Sequence, residues 1–117
     1  MARKELEAHD LGDLVEEQRS SGQAYFEFAR KDALSVGLYV LPAGAVDRQQ
    51  PHGEDEVYHV VAGWGLMTVG EETFPVRPGS IVYVAATVSH RFHDISQELR
   101  IVVFFAPAEG SAARARA

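Results

Sequence analysis

His52 stands four positions ahead of Glu56, across the tight segment Gly53-Glu54-Asp55. A loop running into a strand can fold the His52 imidazole back over the Glu56 carboxylate. One imidazole with one carboxylate is a metal-ligand pair, but a site needs at least three protein donors. His90 is the best third candidate, at the start of HRFHD and just after a loop, and His93 is the other. Side chains of a strand alternate between its faces. If His90 points inward, Phe92 and Asp94 share its face, while Arg91 and His93 point outward. By the same rule Glu56, Tyr58 and Val60 share one face, and Val57, His59 and Val61 the other.

The elements that must position these residues are short strands. Alternation and β-forming composition predict strands over 24–29, 34–41, 56–62, 66–69, 73–76, 80–84, 90–94 and 99–106. Gly37 predicts a bulge or a close backbone approach. Pro42-Ala43-Gly44, Gly70-Glu71-Glu72 and Arg77-Pro78-Gly79 read as turns, Gly63-Trp64-Gly65 as a tight break, and 95–98 as a further turn. One short helix is expected over 13–20, capped by Asp13 with Glu16 three residues on, and Gly12 argues against a longer one. The expected organisation is an N-terminal arm (1–23), a β-barrel (24–107) and a frayed tail (108–117). Turn signals every 8–12 residues suggest an all-β sandwich or small barrel, and closure also removes exposed strand edges.

Composition excludes several classes of function. With 46% hydrophobic residues in 117, the chain is one domain with a real core. A net charge of −6 argues against nucleic acid, and the basic pair Arg114 and Arg116 is too sparse to follow phosphates. The absence of Cys removes disulfides, thiolate nucleophiles and Cys-type zinc sites. No apolar run is long enough to span a membrane, and the first residues do not read as a signal peptide. A soluble cytoplasmic protein is the expectation.

Two short motifs resemble those of the cupin superfamily, which are G-x5-H-x-H-x3–4-E-x6-G and G-x5-P-x-G-x2-H-x3-N. The first here runs from Gly44 through Gln50, His52 and Glu56 to Gly63, with Gln50 where the family has its first His. The second runs from Gly79 through Ala85, Thr87 and His90 to Asp94; its leading Gly and its His match. The resemblance implies a double-stranded β-helix, or jelly-roll barrel. It also implies that His52, Glu56 and His90 are metal ligands, with Gln50 as a candidate fourth. Such a set suits Fe(II) and also admits Mn, Ni, Co or Zn.

Bland readings compete with these. Acidic runs are usually solvated, and that is the expectation for Glu54 and Asp55. It does not extend to Glu56, which heads an apolar strand; a lone buried carboxylate is costly without a partner. Gly44, Gly63 and Gly79 read as turn residues without chemistry. Aromatic residues read mostly as core or subunit contact, with Tyr39, Tyr58 and Phe92 as candidate pocket lining. Arg48 and Arg91 read as surface residues, although either of them at a cavity mouth would pair with an anionic substrate, and Arg48 is kept as a candidate pocket residue. The first functional hypothesis is a metal-dependent oxygenase acting on a small molecule in the barrel. The alternatives are a non-catalytic small-ligand or metal binder, and a sugar isomerase or epimerase with His52 or His90 as general base. The resemblance further implies a homodimer.

Overall fold

The computed structural model describes residues 5–111. One helix and six strands follow in order: α1 (Leu11–Ser21), β1 (Tyr25–Arg30), β2 (Ser35–Leu41), β3 (Asp55–Val69), β4 (Glu72–Val76), β5 (Ile81–Val84) and β6 (His90–Ala106). All strand pairs are antiparallel, in the order β1-β2-β6-β3-β4, and β5 pairs with β3 as well. The architecture is all-β with a short N-terminal helix, as the turn spacing predicts. No helix among the described residues is long and apolar enough to cross a membrane.

The two longest strands, β3 and β6, make the central ribbon. Their alternation builds the core: Leu99, Ile101, Val103 and Phe105 of β6 meet Tyr58, Val60 and Met67 of β3. Burying these side chains is the main favourable contribution, at roughly 1.5–3 kcal/mol for each large apolar one.

Two expected chain breaks are absent. β3 runs through Gly63-Trp64-Gly65, and β6 runs through 95–98. The two stretches face each other. Trp64 pairs with Gln97 and Leu66 with His93, so β6 spends four residues where β3 spends two. The surplus is absorbed as bulges, with Asp94 at φ 48°, and the ladder resumes beyond them. Bulges bend a ribbon. Here they fold the first part of β6 back across the barrel, which brings His90 over the start of β3.

The helix begins two residues earlier than predicted. Asp10, not Asp13, is its cap: the Asp10 carboxylate accepts from the Asp13 N–H at 3.3 Å. Gly12 therefore lies inside the first turn. Gly22, at φ 71°, ends the helix in the left-handed conformation. Buried Leu14 holds α1 against the sheet.

The segment expected to fray after 107 begins in place. Ala108 is buried, and the Glu109 N–H donates to Ser35 Oγ at 2.9 Å. Arg30 Nη2 donates to the Glu109 carbonyl at 2.8 Å. The remainder of that segment, 112–117, lies outside the described residues.

Candidate functional site

Glu56 and Tyr58 enter the barrel from the first residues of β3, and His90 from the first residue of β6. All three are buried. The Tyr58 hydroxyl is the hub. It lies 2.8 Å from His90 Nε2 and 2.9 Å from Gln49 Oε1, and it is hydrogen-bonded to Glu56 Oε2. His90 Nε2 is itself 3.5 Å from Glu56 Oε2. The Val88 carbonyl can only accept, so His90 Nδ1 carries a proton and donates to it at 2.8 Å. When His90 is doubly protonated, its Nε2–H donates to Tyr58, which passes its own proton towards Glu56.

Electrostatics favour that state. Burial pulls the His90 pKa down, but it is outweighed by the hydrogen bond to Glu56, the Val88 carbonyl, and the charges of Glu56 and Asp47, so the net direction is up. Burial, with the charge and hydrogen bond of Glu56, pushes Tyr58 far up and keeps it a neutral phenol. A raised imidazole adds stability that is fully present below its unfolded value, 6.5, and is lost as pH rises through the folded value. Urea denaturation of the wild type and of His90→Gln across this window should show their stability difference falling as pH rises through the raised His90 value. A difference that is flat or grows with pH would contradict the assignment.

Asp47 and Gln49, which sequence reasoning missed, hold this group in place. Asp47 is buried in the β2–β3 loop. Its carboxylate accepts from Tyr39 Oη at 2.6 Å, from Gln49 Nε2 at 2.7 Å, from the Phe92 N–H at 2.9 Å and from the Gln49 N–H at 3.3 Å. The last contact is an Asp side chain bonding backbone two residues on, a turn signature that the sequence does carry.

Above the buried group lies a cavity of about 330 Å³. Val103, Phe105, Tyr25 and Tyr39 form its apolar walls, and Gln49, Gln50, His52 and Glu109 its polar ones. Gln49 joins the two levels, since its side chain lines the cavity and also reaches Tyr58. His52 packs edge-on to Phe105 at 5.0 Å, and its ring is 6.3 Å from that of His90. Its Nδ1 turns towards Glu109 Oε2 at 3.7 Å. Tyr39 and Gln50 therefore line the cavity, whereas Arg48 is exposed and not among its lining residues. Phe92 is core, edge-on to Tyr58 at 5.2 Å. His93 bonds Thr68 Oγ1 at 2.7 Å and Asp94 Oδ2 at 2.6 Å, away from the site. Glu54 corrects the solvated reading of the acidic run: it is buried at the approach to β3. Asp55 is exposed and accepts from the Ala86 N–H at 2.8 Å.

The sequence profile of the Cupin domain matches residues 37–106. The chain belongs to the cupin family. An uncharacterized protein of Streptomyces coelicolor is 49% identical over 104 residues, covering 89% of this chain and 99% of its own. Among solved structures, the TT1209 protein of Thermus thermophilus is similar with a TM-score of 0.72 and 25% identity, over 88% of this chain and 99% of that one. An RmlC-like cupin of Methanocaldococcus jannaschii with a double-stranded β-helix fold gives 0.67 and 20% identity, over 80% of this chain and 84% of that one. This cupin thus has the double-stranded β-helix that its motifs imply.

The cupin motifs raise the question of a metal. Among the described residues, no three His, Asp or Glu side chains converge closely enough to hold an ion. Glu56 and His90 supply two donors, the Tyr58 hydroxyl stands between them, and His52 faces Glu109. As folded, the set does not fit a three-ligand ion.

Proposed function

We propose that this cupin binds a small molecule in the cavity above Glu56, Tyr58 and His90. The observation that carries the reading is the cavity itself, with apolar walls and several convergent polar groups at the mouth of a barrel. Its volume lies at the small end of the range for ligand sites, about 300–1,000 Å³. The expected result is that small polar fragments perturb the amide NMR signals of Tyr25, His52 and Phe105 saturably. A fragment library that leaves all three unmoved would sink the reading.

A second reading is a metal-dependent oxygenase using Fe(II), for which the buried Glu56–His90 pair supplies two donors and His52 would have to leave Glu109 to supply the third. Elemental analysis of protein purified without a His tag and then loaded with Fe(II), Mn, Ni, Co or Zn tests it, together with oxygen uptake on catechols, thiols and diketones. Protein that retains no ion rules it out. Isomerase or epimerase chemistry would take as its base His52, which lines the cavity, or His90, whose Nε2 is held by the Tyr58 hydroxyl. We also propose a homodimer. Tyr83 and Phe104 flank Val57 on one outward face, beside exposed Ile81. Sedimentation velocity reporting only monomer would contradict it.

A further inference from the structure

Regular alternation puts neighbouring residues of a strand on opposite faces, yet His93 and Asp94 meet. His93 Nδ1 lies 2.6 Å from Asp94 Oδ2. The bulge in β6 makes this possible. Asp94 adopts φ 48°, in the left-handed region, and its carboxylate comes round to the outward face where His93 stands. Asp is among the few side chains that enter this region, at a cost. Strained backbone of this kind gathers at functional sites.

The other ring nitrogen continues the chain of contacts. His93 Nε2 lies 2.7 Å from Thr68 Oγ1 on β3, and Thr68 Oγ1 lies 2.8 Å from Thr73 Oγ1 on β4. The Asp94 carboxylate can only accept, so His93 Nδ1 carries a proton. In the neutral ring Nε2 is then an acceptor, and it takes the Thr68 O–H. Thr68 in turn accepts from Thr73. Carboxylate, imidazole and hydroxyl stand in the order, and the tautomer, of a general-base triad. A simple staple between strands would need neither that tautomer nor a left-handed Asp.

The group is open to a substrate. The His93 side chain is 17% exposed and that of Asp94 72%. Beside it lies a cavity of about 330 Å³, with Ala45, Val46 and Ile95 on its apolar side and Arg91, His93 and Asp94 on its polar side. Arg91 stands directly opposite Thr68 in the ladder, is exposed, and has no ion pair among the described residues. A cation there is placed for the negative charge that builds on a carbonyl oxygen when a hydroxyl attacks.

We propose that this outer face is a second site, which transfers the acyl group of a small carboxylic ester to Thr68 and then to water. Thr68 is the nucleophile, His93 the general base and Arg91 the partner of the oxyanion, while Asp94 positions His93. Thr68 Oγ1 bonds to the acyl carbon as its proton passes to His93 Nε2. The bond from that carbon to the alcohol oxygen breaks, and the leaving oxygen takes the proton. Water then repeats the exchange: its oxygen bonds to the acyl carbon, its proton passes through His93 to Thr68 Oγ1, and the carboxylic acid leaves. The site is separate from the cavity above Glu56, Tyr58 and His90 and does not depend on it.

The probe is p-nitrophenyl acetate. Wild-type protein should release nitrophenolate about tenfold or more faster than Thr68→Val or His93→Gln, a modest share of the roughly 10²–10⁴ that general-base catalysis supplies. Thr68→Ser should keep the activity. Peptide mass spectrometry of acid-quenched protein should find the acetyl group on Thr68. Asp94→Asn, which the left-handed backbone also tolerates, should lower kcat and leave KM unchanged, because it disturbs the tautomer and not the substrate. His9→Gln controls for the reactivity of an ordinary surface imidazole and should change nothing. Far-UV circular dichroism confirms that each variant folds. Release from Thr68→Val as fast as from the wild type, or acetyl found only on other residues, overturns the proposal and leaves the ligand cavity inside the barrel untouched.

Discussion

Replacing Gly63 by Ala is expected to lower the melting temperature by roughly 8–20 °C. Gly63 sits inside the bulged part of β3 at φ +96°. A Cβ there would lie 2.1 Å from the Glu98 carbonyl oxygen, 2.6 Å from its carbon and 2.7 Å from Leu99 Cα. All three atoms are backbone of the paired strand, so none can rotate aside. A side chain at positive φ costs about 1–2 kcal/mol, and overpacking about 1–3 kcal/mol more. The sum, roughly 2–5 kcal/mol, is a large part of the stability of about 5–15 kcal/mol usual for a domain. At about 4 °C per kcal/mol for a chain of this size, the melting range follows. Gly70→Ala separates the two causes. Gly70 also has positive φ, +60°, but nothing lies within 4 Å of its added Cβ. Thermal melts in which Gly63→Ala is no worse than Gly70→Ala would refute the close-approach account.

Gly63 also shows where sequence reading stops. Gly-Trp-Gly looks like a chain break when seen alone, and so does the stretch 95–98. What makes both of them bulges is that each lies opposite the other, a fact that exists only after β3 and β6 pair. Alternation is a local signal, so the core stripe from Leu99 to Phe105 and the inward placement of Glu56 were legible. The inward face of Tyr58 was legible too, but period two says which way a side chain points and not what its tip reaches. That the hydroxyl ends between Glu56 and His90 depends on the bending of β6. Glu54 was misread because acidic runs are usually solvated, and burial at the start of β3 is a tertiary event. Glu109 was hidden for the opposite reason. Its small, polar neighbours suggest fraying, yet its backbone is held by Ser35 and Arg30, and its carboxylate lines the cavity.

The other large effect is expected at Asp47. Asp47→Ala should cost about 3–5 kcal/mol of stability, read by urea denaturation. The carboxylate is 7% exposed and accepts from the Tyr39 hydroxyl, both Gln49 donors and the Phe92 N–H. Alanine strands these donors, and each buried one left unsatisfied costs about 1–3 kcal/mol. Gln49 can turn to water because it lines the cavity; the Phe92 N–H, deep in the core, cannot. Asp47→Asn should fall between the two, because its amide keeps one acceptor but turns a donor towards other donors. The order wild type, Asn, Ala is therefore the signature of a clamp acting through hydrogen bonds rather than through volume. Hydrogen exchange gives an independent reading, since the Phe92 amide should lose protection in the Ala variant beyond what global destabilisation accounts for. A cost below about 1 kcal/mol for Asp47→Ala would show that the loop is held by something else. The clamp also reaches the site. Gln49 is bonded to Asp47 on one side and to Tyr58 on the other, so freeing it removes the link between the cavity and the buried group. Ligand affinity should then fall together with stability, whereas a substitution on the exposed face, such as Ile81→Lys, should leave the affinity of the cavity unchanged.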